Sequence, residues 1–150
     1  MSRTAVVAYS GGLDTSCILA WLQEEPYGFD EVVAVLVDVG QELDVDESIV
    51  RARAAGAEDV LLVDRKNAFA DEQCARAIVT NALYEGKYPL VSALSRPVIA
   101  QAVAEIAARY PSVTGIRLDW PEYPPYDFRS ALFDFNPALT ARLATAGHDA

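Results

Sequence analysis

A chain of 150 residues, 52% apolar and 23% charged, is long enough for one domain with a sizeable core and short for two. Its formal net charge of −10 argues against a surface that tracks nucleic-acid phosphates, although backbone amides still suit a small anion. Two cysteines, no apolar run long enough to cross a bilayer and no export-type leader in "MSRTAVVAYSGG" set the expectation of a reduced, cytoplasmic protein without a membrane partner.

"TAVVAYS", from Thr4, reads as a short, nearly all-apolar strand, the pattern of a parallel sheet covered on both faces. "LDTSCILAWLQEE" follows as a helix whose Leu13, Cys17, Ile18, Leu19, Trp21 and Leu22 form one broad apolar face, ended by "PYG". "EVVAVLVDV" is a second buried strand, broken by Gly40. "DVDESIVRARAAG" is a helix with acids in its first turn, Arg51 and Arg53 later, and Gly56 where a C-cap belongs. "DVLLVD" is a third strand, and "NAFADEQCARAIVTNALYEG" a long helical pattern closed by Gly86. "YPLVSALSRP" is mixed, and "VIAQAVAEIAARY" is a strong helix. Cys17 and Cys74 both fit buried helical faces. A nucleophilic Cys17 is disfavoured because His148 is the only histidine and lies far away in sequence.

Alternating strands and helices with short links predict an α/β fold, an open, doubly wound parallel sheet of Rossmann-like type. Residues 1–110 form that domain, and 111–150 read as a divergent tail or a foreign segment. Within the tail "SVTGIRLDW" suggests a fourth strand and "PALTARLATAG" a short helix. Pro121, Pro124 and Pro125 exclude regular structure between them. Trp120, Tyr123, Tyr126, Phe128, Phe133 and Phe135 need burial, either over the sheet edge or against a second copy in a homo-oligomer.

Ligands of such sheets sit at the carboxyl ends of the strands, where "SGGLDTS" falls. A strand turning straight into a helix gathers free amides and the positive end of the helix dipole. Gly11 and Gly12 permit positive φ and close approach, Ser10, Thr15 and Ser16 add hydroxyls, and Asp14 suits a metal ion or a cap. The turn is neither a Walker loop, which needs a lysine, nor GxGxxG, whose glycines are not adjacent. A ligand-free turn with Ser10 or Asp14 as N-cap is the plain alternative.

"SGGLDTS" resembles the pyrophosphate loop of the N-type ATP pyrophosphatases. The longer "AYSGGLDTSCILAWL", with "YEGKYPLVSALSRPVIA" from Tyr84 to Ala100, resembles the argininosuccinate synthase family over roughly residues 4–110. That resemblance implies ATP-dependent adenylation of citrulline and displacement of AMP by aspartate, in arginine biosynthesis. It implies ATP and Mg2+ as cofactors, and citrulline and aspartate as small-molecule partners.

Carried over by residue, Ala8, Tyr9, Ser10, Gly11, Gly12, Leu13, Asp14, Thr15 and Ser16 would hold ATP, with Val37 at the adenine. Tyr88 would bind citrulline. Ala93 stands where the family has a further citrulline-binding serine, so Ser92 or Ser95 would substitute. The resemblance assigns no catalytic side chain and no protein metal ligand. The family's second glycine-rich loop has no counterpart after Tyr110, so the expectation is a truncated nucleotide-binding domain. The alternatives are a non-catalytic nucleotide-binding remnant and another adenylating enzyme of the same superfamily, such as a tRNA-thiolating or amide-forming one.

Overall fold

The structure, a computed structural model, describes residues 2–113. The expected fourth strand beyond residue 113, the final helix and the tail's aromatic residues lie outside the described residues.

Three parallel strands form the main sheet in the order β1-β2-β3: β1 Thr4–Tyr9, β2 Glu31–Asp38 and β3 Asp59–Asp64. The register pairs Tyr9 with Leu36, Val37 with Val63 and Asp38 with Asp64. β2 is central and its Val32–Val37 run is wholly buried. Alternate residues of that run serve opposite faces. Val32, Ala34 and Leu36 pack with Leu19 and Leu22 of α1 (Leu13–Gln23) and Ala52 of α2 (Val45–Ala54). Val33, Val35 and Val37 pack with Ala102 and Ile106 from a long helix, Val91–Ala107. Helices therefore cover both faces, which is why β2 reads as an unbroken apolar run. The α/β, Rossmann-like class holds.

α2 keeps the boundaries its caps dictate. The Asp44 carboxylate accepts from the Glu47 amide at 3.0 Å. Gly56, at φ +94°, closes the helix with Ala57 N–H bonded to Ala52 O and Gly56 N–H to Arg53 O, each 3.0 Å.

The pattern over 67–86 is not one helix. A π-helical stretch, Ala68–Cys74, continues into α3 (Ala75–Val79), and Asn81 then takes φ +49°. Ala82 N–H bonds Ala77 O at 2.8 Å and Asn81 N–H bonds Ile78 O at 3.1 Å, a Schellman stop built on asparagine. β4 (Leu83–Tyr84) and β5 (Tyr88–Pro89) make a small antiparallel hairpin. Glu85 and Gly86 turn it at φ +51° and +69°. The last helix, α4 (Val91–Ala107), starts seven residues before the expected Val98 and contains Pro97. Pro97 and Ala93, the residue whose carbonyl it leaves without an intrahelical donor, are both exposed, so water can serve that carbonyl.

The broad apolar face expected on α1 is split. Leu19 is buried against the sheet, whereas Leu13 and Trp21 are 77% and 61% exposed and Cys17 is exposed. Residues 13, 17 and 21 repeat every four positions and share an outer stripe. Cys74 is half-buried rather than buried. No helix among the described residues is long and apolar enough to cross a membrane.

Candidate functional site

β1 ends at Tyr9 and α1 begins at Leu13, so Ser10, Gly11 and Gly12 make the whole connection at the carboxyl edge of the sheet. Gly11 takes φ +80°, a conformation that side chains rarely adopt. A Cβ there would stand 2.5 Å from Oγ of the buried Ser48 on α2, so the loop lies against that helix. Gly12 has an ordinary φ of −83° and is the N-cap, with no side-chain capping bond. Neither Ser10 nor Asp14 caps α1. A Cβ on Gly12 would meet only Ser10 Oγ, at 3.4 Å, so the space over this residue is open.

The loop hydroxyls are tied to one another and to its backbone. Ser16 Oγ donates to Gly12 O at 2.8 Å, so the Tyr9 hydroxyl, 2.9 Å away, donates to Ser16. Thr15 Oγ1 lies 3.0 Å from Ser10 Oγ and 3.3 Å from Gly12 O. The Gly12 amide donates to Ser10 Oγ at 3.3 Å. Tyr9 and Gly11 are buried, Gly12, Thr15 and Ser16 half-buried, and Ala8, Ser10, Leu13 and Asp14 exposed. The result is a pre-organised turn that presents first-turn amides and the hydroxyls of Ser10 and Thr15, the chemistry of an anion cradle.

Val37 follows Leu36, the partner of Tyr9, so it lies beside the start of the loop. Its side chain is buried on the α4 face. Gln41 supports this bend, donating to Val37 O at 2.9 Å and accepting from Val39 N–H at 2.8 Å. Just beyond, Lys66 bridges Asp38 at 2.8 Å and Asp64 at 2.9 Å. The Lys66 ammonium, then the Gly40 amide, hold the Asp38 carboxyl below its ordinary range. The Lys66 amide, then its ammonium, do the same for Asp64, and Lys66 is raised in return by Asp38 and then Asp64. Asp38 is thus a tied strand end.

Tyr88 and Ser92 belong to a different part of the molecule. Tyr88, 64% exposed, pairs with Tyr84 on the hairpin, and Ser92 is exposed in the first turn of α4. Ser95 turns its hydroxyl onto Ser92 O at 3.0 Å. An apolar groove beneath the hairpin is lined by Phe69, Ile78, Leu83, Leu90 and Leu94 and shares no residue with the loop.

Sequence reasoning did not find the contact of α2 with the loop. Arg51 donates through Nη1 to the Gly11 carbonyl and through Nη2 to Glu47 at 2.5 Å. The signal was the spacing of Glu47, Ser48 and Arg51 on one helix face, but only the tertiary fold shows what that face meets.

Residues 4–114 match the arginosuccinate synthase N-terminal HUP domain. The argininosuccinate synthase of Geobacillus kaustophilus is 51% identical over 102 residues, 68% of this chain and 24% of that protein. Its counterpart from Pyrobaculum aerophilum is 52% identical over 104 residues, 69% of this chain and 26% of that one. This chain thus spans about a quarter of the length of these relatives. A solved NAD+ synthetase from Burkholderia pseudomallei, 23% identical over 73% of this chain and 47% of its own, gives a TM-score of 0.40, too slight to carry an argument. With the matched region running from the start of β1 past the end of α4, the chain belongs to the argininosuccinate synthase family.

Proposed function

We propose that this chain is an ATP-binding domain of the argininosuccinate synthase type, with the triphosphate seated on the Ser10–Ser16 turn. The observation that carries the reading is the turn itself. Gly12 opens α1 with no side-chain cap and open space above it, while the neighbouring hydroxyls are already fixed. The phosphates fit here on physical grounds, since amides at a helix N-terminus and hydroxyl donors favour oxyanions. Ala8 and Tyr9 bring the chain to the turn, Leu13 and Asp14 begin the helix, and the backbone at Val37 lines the adenine. Mg2+ accompanies the phosphates and offsets their charge, with exposed Asp14 the carboxylate of the loop itself.

In the reaction this family name denotes, the citrulline ureido oxygen bonds to the α-phosphorus as pyrophosphate leaves. The aspartate amine then displaces AMP. This chain's part is to fix the phosphates so that the attack is in line. Tyr88 and Ser92 are the candidate citrulline contacts.

A second reading, nucleotide binding without turnover, is favoured by the exposure of Tyr88 and Ser92, which no enclosing wall covers among the described residues. Titration calorimetry with Mg-ATP tests binding. Pyrophosphate release that depends on both citrulline and aspartate separates the two readings. No heat of ATP binding to the folded chain would refute both.

A further inference from the structure

We propose that Arg51 is a positioning residue for the nucleotide site, holding the Gly11 carbonyl so that the Gly12 amide points into the turn. The proposal rests on the ATP reading for its ligand, and on the loop geometry alone for its mechanism. The Gly11–Gly12 peptide is flanked by two residues without side chains, so it is the unit of the loop with least intrinsic resistance to rotation. In a trans peptide the carbonyl and the following N–H point in opposite directions. Arg51 fixes the Gly11 oxygen on the α2 side. The Gly12 N–H therefore faces away from α2, where Ser10 Oγ accepts it at 3.3 Å. A flip of this peptide would replace a donor with a carbonyl oxygen at the place where a phosphate needs donors.

The guanidinium is itself held. Its second nitrogen donates to Glu47, one turn back on α2, and Asp44 caps the Glu47 amide. Arg51 thus spends one arm of a planar fork on its own helix and the other on the loop. A lysine gathers its three donors on one nitrogen at the end of a flexible stem, so it does not reproduce the two-nitrogen spacing of the fork. The fork also puts a fixed positive charge beside a loop whose own sequence, "SGGLDTS", lacks a lysine.

The test uses the full chain and two readouts. The Gly12 amide is followed by 15N–1H spectroscopy without ligand, and Mg-ATP affinity by calorimetry. Arg51→Met keeps the aliphatic stem and removes the fork. Its Gly12 resonance should shift and exchange faster with solvent, while β2 and β3 amides stay in place. ATP affinity should fall about tenfold, the scale of one charge-assisted hydrogen bond. Arg51→Lys should recover neither property fully.

An unmoved Gly12 amide in Arg51→Met overturns the proposal, whether or not ATP binds. Unchanged affinity, against a wild-type chain that does bind ATP, overturns it too, as does complete recovery by Arg51→Lys. A moved Gly12 amide in a wild-type background that binds no ATP supports the positioning role and refutes the nucleotide reading.

Discussion

Around Gly11 and Gly12, Tyr9, Ser10, Thr15 and Ser16 bond one another and the backbone within eight residues of chain, and α2 closes the loop from outside. Around Tyr88, a hairpin with two residues in each strand turns through two positive-φ residues, and Tyr84, Tyr88, Ile78 and Val79 are exposed. Both regions carry a family motif, yet only the first is tied largely by its own residues, with α2 as a single outside buttress. A two-stranded hairpin depends on what packs against it.

The same substitution in both turns should expose this contrast. Gly11→Ala must adopt φ +80° and push its Cβ against buried Ser48. A loss of roughly 2–4 kcal/mol is expected in urea unfolding, from strained φ and overpacking together. Gly86→Ala has φ +69° but nothing within 4 Å of its Cβ, so only the backbone cost of about 1–2 kcal/mol applies. Equal losses would mean that α2 does not buttress the loop.

Gly12→Val separates folding from binding within the first region. Its φ is ordinary and its Cβ meets a single atom, so stability should change little. The branched side chain occupies the space over the first-turn amides, and Mg-ATP affinity should drop at least about tenfold. An affinity equal to that of the wild type would remove the phosphate from this turn.

The strand ends beside the loop add a smaller, pH-dependent effect. Asp38 and Asp64 titrate below their ordinary value of 3.8 because Lys66 pairs with both. A depressed carboxyl pKa stabilises the fold above that value, and the contribution is lost as pH falls through the folded values. Stability gained from the cluster should therefore fade as pH falls below the ordinary value of 3.8 and through the lowered folded values. Lys66, raised above 10.5, contributes below that pH and loses its share above it. In Lys66→Met the gap from the wild type, measured by thermal unfolding across pH, should narrow at the acid end. A constant gap down to pH 2 would deny the cluster any role. Lys66 and Asp64 are solvent-facing, so salt should shrink the effect.

What was legible in the sequence follows the same division. β1, β2 and β3 read correctly because a strand covered on both faces is a continuous apolar run, and α2 because Asp44 and Gly56 mark its ends. The stop at Asn81 was missed because asparagine enters the left-handed region far less often than glycine, and the alanines and valines before it suit a longer helix. Pro97 misdirected the start of α4, since proline in a helix interior is tolerated only where water meets the freed carbonyl. Leu13 and Trp21 were assigned to a core they do not join, for periodicity shows an apolar stripe without showing what covers it. The loop's residues were readable, but the hand that holds Gly11 comes from forty residues away.

The smallest expected effect belongs to the hairpin. Tyr88 is 64% exposed. Tyr88→Phe should leave stability within about 0.5 kcal/mol, as for an exposed position away from the core. Tyr84, its cross-strand partner, is 59% exposed and serves as the control for a general change in hairpin surface. If the Tyr88 hydroxyl touches citrulline, Tyr88→Phe should weaken citrulline binding in the presence of Mg-ATP by a few-fold, the worth of one neutral hydrogen bond of about 1 kcal/mol. Tyr84→Phe should leave it unchanged. Calorimetric titration of citrulline into the ATP-loaded chain decides the matter, and equal effects of the two substitutions would mean that the hairpin reads no substrate through Tyr88.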